Sequence, residues 1–179
     1  TLKRAKHSQR AAVEDFIQHV YHICKRSDAM WMILSSKFGQ IAFRNFAKGE
    51  HADEFVEIFL DVSRILAVVE NVAEEDLSER MKQLIEKHFC VDHEDENVHI
   101  PTAMLTILRK TAEMDPHSED FKDTAKHLLS NLEREMVNIM ARDQFDRFIS
   151  GRHYRQFRSS ARGVALAATL GSYQAADAK

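Results

Sequence analysis

The chain reads as an all-α protein, and three observations carry that reading. Apolar residues recur at helical spacing along most of its 179 residues. Glycine and proline are scarce, five and two in the whole chain, too few for the frequent turns of a β-rich fold. No stretch alternates apolar and polar residues with period two for long enough to make a strand. A hydrophobic share of 44% against 30% charged residues suits a packed core rather than disorder.

Each element has a local reason. Val13, Phe16, Ile17, Val20, Ile23 and Cys24 follow the i, i+3, i+4, i+7 rule and predict an N-terminal helix within residues 1–27, packed on the rest. Ser27 or Asp28 can cap a short helix carrying Trp31 and Leu34. Gly39 separates it from another short helix over about residues 41–46. Phe55, Phe59, Val62, Ile65, Leu66 and Val69 form the next stripe, and Leu77, Met81, Leu84, Ile85 and His88 the one after. Pro101 favours the first turn of a helix with Met104, Leu105 and Leu108. Asp115-Pro116 stops that helix and starts the longest stripe: Phe121, Ala125, Leu128, Leu129, Leu132, Met136, Ile139 and Met140. Asp143 can cap a helix carrying Phe145, Phe148 and Ile149, closed by Ser150-Gly151. The expected result is a single bundle of about eight or nine helices, with the main domain over 28–158 and a C-terminal tail over 159–179. Phe16, Trp31, Phe46, Phe59, Leu84, Leu132 and Phe148 are its expected core.

Charge and composition narrow the function classes. A net charge of −3 argues against nucleic-acid binding by the domain as a whole. Cys24 and Cys90 stand apart and outside any CxxC, so reduced thiols in a cytoplasmic protein are expected. The longest uncharged run, residues 163–176, is 14 residues long and contains Gly171, short of the ~20 apolar residues of a span. The start, Thr1-Leu-Lys-Arg-Ala-Lys, shows no apolar segment of the signal-peptide kind. Both ends are basic: Lys3, Arg4, Lys6 and Arg10 at one, and Arg142, Arg147, Arg152, Arg155, Arg158 and Arg162 against Asp143 and Asp146 near the other. Such ends suit an anionic membrane surface, for example a peripheral place at the plasma membrane, or an acidic partner; a solvated helix face is the plainer alternative.

Chemistry of its own is hard to find in the chain. His88, Cys90, Asp92, His93 and Glu94 lie close together, yet zinc ligands come in pairs and no second pair appears. Read as a calcium loop, Asp92, Glu94 and Glu96 fill the odd places, but Asn97 replaces the sixth-position Gly and Ala103 the twelfth-position Glu. Neither GxGxxG nor GxxxxGK[ST] occurs, and GxSxG and HExxH are also missing. No metal, no cofactor and no catalytic centre are expected.

Two stretches carry a family resemblance. The first runs Trp31-Met-Ile-Leu34, Gly39-Gln-Ile-Ala-Phe43-Arg-Asn-Phe46-Ala-Lys48-Gly-Glu50 and Asp53-Glu54-Phe55-Val-Glu-Ile-Phe59. The second is Met136-Val-Asn138-Ile-Met140-Ala-Arg-Asp143-Gln-Phe145-Asp-Arg147-Phe148. Together they resemble the RGS domain, the regulator of G-protein signalling, over about residues 28–157. The resemblance implies a helical fold whose three loops at one end hold the switch regions of a Gα subunit. It implies a first loop of Glu50, His51, Ala52, Glu54 and Phe55, a second around Val98-His99-Ile100, and a third of Ile139, Asp143, Gln144 and Arg147. Family asparagines of the first two loops align with Phe55 and His99. The implied role is either that of a GTPase-activating protein for Gα or that of an RGS-homology scaffold without that ability. The residues also admit structural roles. Asp143 is placed to cap, Arg147 lies at salt-bridge spacing from it, and Phe55 continues the Phe59 stripe.

Overall fold

The computed structural model describes residues 26–89 and 100–159, and all of their regular structure is helical. Eight helices occur among the described residues: α1 (Arg26–Leu34), α2 (Lys37–Gly49), α3 (Glu54–Leu66), α4 (Glu74–Phe89), α5 (Thr102–Ala112), α6 (Phe121–Asp143), α7 (Phe145–Ser150) and α8 (Arg152–Ser159). The expected helix within residues 1–27, the tail beyond residue 159, both cysteines and the acidic run at 92–96 lie wholly or almost wholly outside them. The chain divides into two compact units, residues 1–49 with 141–179 and residues 50–140.

In the first unit α1 packs on α2, α2 on α8, and α7 on α8. Aromatic side chains hold it together. The Phe148 ring lies 5.1 Å from Phe43, 5.4 Å from Phe46 and 5.4 Å from Tyr154, and Tyr154 lies 6.1 Å from Phe157. The Phe43 and Tyr154 contacts are edge-on, the arrangement that ring quadrupoles favour. Arg26 bridges to Asp146 at 3.1 Å, tying α1 to α7.

Several expectations change here for physical reasons. Trp31 is 40% exposed, because α1 buries Met30, Ile33 and Leu34, an i, i+3, i+4 set that turns Trp31 off the core face. Ser27 and Asp28 lie inside α1 rather than ahead of it. Gly39 does not separate two helices; α2 begins two residues earlier, and Ser36 is its cap. The Ser36 hydroxyl accepts the Gly39 N–H at 2.9 Å and donates to the Ile33 carbonyl at 3.1 Å. Gln40 Nε2 adds a 2.8 Å bond to the Leu34 carbonyl. Gly39 is needed because a Cβ there would run into the backbone of Ile33. Asp143 does not cap α7 either: it ends α6, and Gln144 occupies the cap position with no side-chain capping bond. Gly151 does close α7, donating its N–H to the Phe148 carbonyl at 3.0 Å.

In the second unit α3 packs on α4 and α4 on α5. The stripe of α6 is buried at every position the spacing marks, from Phe121 to Met140. Phe59, Val62, Ile65 and Val69 are buried as expected, while Phe55 and Leu66 are half-buried. Pro101 stands at the cap of α5 rather than inside its first turn, and its carbonyl accepts the Met104 and Leu105 N–H groups at 2.8 and 3.2 Å. The Asp115-Pro116 pair stops α5 but does not start α6 directly. Asp115 Oδ1 takes the His117 N–H at 3.0 Å in a local turn, and α6 opens only at Phe121. Lys122 Nζ then donates to the Glu70 and Val72 carbonyls at 3.3 and 3.1 Å.

Gly39→Ala is expected to lower unfolding free energy by about 1–3 kcal/mol, the cost of forcing an extra carbon into filled space. Gly49→Ala is the control: nothing lies within 4 Å of its would-be Cβ, so stability should hold or rise slightly. Urea melts of both variants check this, and equal midpoints would refute the close approach.

Candidate functional site

The residues that the resemblance points to fall in three chain segments. The first connects α2 to α3. His51 holds it in shape with φ of 54°, the left-handed region rarely taken by a side-chain-bearing residue. Asp53 caps α3 in helical geometry without a side-chain bond, and its carbonyl receives the Glu57 N–H at 3.0 Å. Glu54 and Glu57 place negative charge at the positive end of the α3 dipole. Glu50 and His51 are exposed, while Ala52, Glu54 and Phe55 are half-buried. Of the second segment, Val98 and His99 lie outside the described residues, and Ile100 is half-buried.

The third segment spans the end of α6 and the start of α7. Asp143 and Arg147 are exposed. Ile139 and Gln144 are each 4% exposed, so their side chains serve packing first. Arg142 grips the Asp143 carboxylate with two bonds, Nε to Oδ1 at 2.8 Å and Nη2 to Oδ2 at 3.2 Å. Those bonds, helped by the positive charges of Arg142 and Arg147, hold the Asp143 carboxyl below its usual range. The spacing suggests Arg147 as the ion partner; the neighbouring Arg142 takes that place. Residues 50–55 and Ile139 belong to one unit, whereas Asp143, Gln144 and Arg147 belong to the other.

Sequence reasoning misses the strongest electrostatic cluster. Asp61 of α3 receives Arg64 Nη1 at 2.5 Å, Lys87 Nζ at 2.6 Å and His88 Nε2 at 2.9 Å. Burial pushes the Asp61 carboxyl up, but hydrogen bonds from Lys87 and His88 and their charges outweigh it and hold it low. Nothing in the sequence marks a contact between residues 27 apart on different helices. His88, close in sequence to other metal-ligating residue types, turns its ring to Asp61 instead. Glu133 of α6 is the opposite case. Burial raises its carboxyl, only partly offset by the hydrogen bond from Ser63 Oγ. Among the described residues no three metal-ligating side chains gather, and no helix is long and apolar enough to cross a membrane.

The sequence profile described as regulator of G protein signaling domain matches residues 30–157, more than two thirds of the chain. The described residues within that range have helices as their only regular structure, which agrees with it. The chain belongs to the regulator of G protein signaling domain family, and its general role lies in the regulation of G-protein signalling. No individual curated protein matches it.

Asp61 and Glu133 should show opposite pH behaviour. A depressed folded pKa means that Asp61 stabilises the fold above its ordinary value of about 3.9, and that this is lost as pH falls through the lower folded value. Asp61→Asn is therefore expected to cost roughly 1 kcal/mol at pH 7 and progressively less in strong acid. The raised pKa of Glu133 means that ionisation opposes folding as pH rises above about 4.3. Glu133→Gln should stabilise at pH 7 and converge with the unmodified chain at lower pH. Thermal melts between pH 3 and pH 7 test both signs.

Proposed function

We propose that this domain binds the switch regions of a heterotrimeric G-protein α subunit, and that it accelerates GTP hydrolysis weakly or not at all. Family membership carries the first half of the reading. In the family the Gα subunit brings its own catalytic Arg and Gln, and the regulator orders the switch segments around the transition state. In this reading Glu50 and His51, with Glu54 and Phe55 next along the chain, contact Gα from the first segment, and Asp143 and Arg147, exposed like Glu50 and His51, from the third. Ile139 and Gln144 act from beneath, by fixing the end of α6 and the cap of α7.

The second half rests on Phe55 and His99, which stand where the family places asparagines. An amide both donates and accepts at one contact; a phenyl ring does neither, and a neutral imidazole has one of each. An interface hydrogen bond left without its partner costs about 1–3 kcal/mol. Two such losses weaken transition-state binding by roughly one to four orders of magnitude. A scaffold that holds Gα without turning it over is the natural limit of this reading.

Single-turnover GTP hydrolysis over a panel of Gα subunits tests it, alongside pull-down with the transition-state-mimic form. Binding without strong acceleration is the expected outcome. Phe55→Asn with His99→Asn should strengthen capture of the mimic form. Robust acceleration of several unrelated Gα subunits by the unmodified chain would overturn the second half, and failure to capture any Gα form would overturn the first.

A further inference from the structure

Asp143 is a carboxylate that contributes little to the fold. It is the last residue of α6, a helix of 23 residues, and so stands at the negative end of that helix dipole. α7 opens just beyond it but is only six residues long, and Asp143 gives it no capping bond. Its partner Arg142 is the neighbouring residue in the same helix, so their bridge joins no two elements. The two side chains are 71% and 49% exposed, and an ion pair so open to water adds little stability. Among the described residues the Asp143 carboxylate has no other hydrogen-bond or ion-pair partner.

The geometry of the pair is nonetheless specific. Arg142 Nε meets Oδ1 at 2.8 Å and Nη2 meets Oδ2 at 3.2 Å, a side-on fork that fixes the plane of the carboxylate. An ionised carboxylate offers about four acceptor sites on its two oxygens. The fork takes one site on each oxygen and leaves the other open. Asp143 is therefore held in place and still able to accept. A carboxylate free to rotate would have to be frozen on binding, and the fork removes that loss beforehand. Lysine at position 142 would bring the charge without the fork.

We infer that Arg142 is a positioning residue, whose fork orients the Asp143 carboxylate so that its open acceptor sites meet hydrogen-bond donors of the Gα switch segments. The inference rests on the Gα reading above and adds to it a residue that the family resemblance does not point to. Arg142 acts through Asp143 and needs no contact of its own with the partner.

Capture of the transition-state-mimic form of Gα by the full chain tests this in a double-mutant cycle. Arg142→Gln and Arg142→Lys should each weaken capture by about two- to tenfold, the effect of leaving one side chain to be frozen on binding. Thermal melting should stay unchanged. Asp143→Ala should weaken capture as well, and in that background neither change at Arg142 should weaken it further. A second measurement needs no Gα: in Arg142→Gln the Asp143 carboxyl, followed by carbon-13 NMR, should titrate at higher pH than in the unmodified chain. Full capture by Arg142→Lys would overturn the inference, because charge alone would then suffice. Tighter capture by Arg142→Gln would also overturn it, since the fork would be masking Asp143. Equal losses with and without Asp143 would replace it with a direct contact from Arg142. An unmoved carboxyl titration would show that the fork does not form in solution. Failure to capture any Gα form, with the titration moving as expected, would instead bring down the Gα reading and this inference with it.

Discussion

The buried stripe of α6 is the constraint on which the second unit depends. A helix of 23 residues spans roughly 35 Å, and its own propensity would not hold it straight in water. Eight apolar side chains from Phe121 to Met140 supply what propensity lacks, because every one of them is removed from solvent. The polar contacts around α6 depend on that burial. Lys122 reaches the backbone just beyond α3, Lys126 pairs with Glu70, and Glu133 meets Ser63. Each of these contacts requires α6 to hold its rotation about its axis, and the stripe sets that rotation.

The same physics explains what can be read from the chain. Long periodic stripes such as those of α3, α4 and α6 are legible because a helix face either meets the core at every turn or does not form. Trp31 misleads because a short helix offers two overlapping stripes, and size alone does not choose between them. Met30, Ile33 and Leu34 win by spacing. Caps are harder to read. Ser36 carries no mark that sets it apart from Ser35, and Asp143 looks suitable but is drawn to Arg142. Asp61 with Lys87 and His88 is invisible, since sequence says nothing about which turns of two packed helices come level.

For the candidate surface, the legible part is positional and the illegible part concerns side-chain burial. Residues 50–53 connect α2 to α3 with Glu50 and His51 in solvent, while Glu54 and Phe55 already belong to the first turn of α3. Asp143 and Arg147 are exposed at a helix junction, yet Gln144 between them is buried. Gln144 lies seven residues past Val137, four past Met140 and three past Ala141, all buried, so it continues a buried face of α6. Its burial is hard to read because the residue on that face is polar.

His51 adds a final consequence. A left-handed backbone at a residue with a Cβ costs about 1–2 kcal/mol, and the loop between α2 and α3 accepts it when the domain folds. The loop is therefore shaped in advance, and a partner that meets Glu50 and His51 has little local freedom to freeze. Its binding would be limited by fit rather than by ordering. Glycine at position 51 would ease the strain but return that freedom, so the gentlest substitution for the fold is an unfavourable one for recognition.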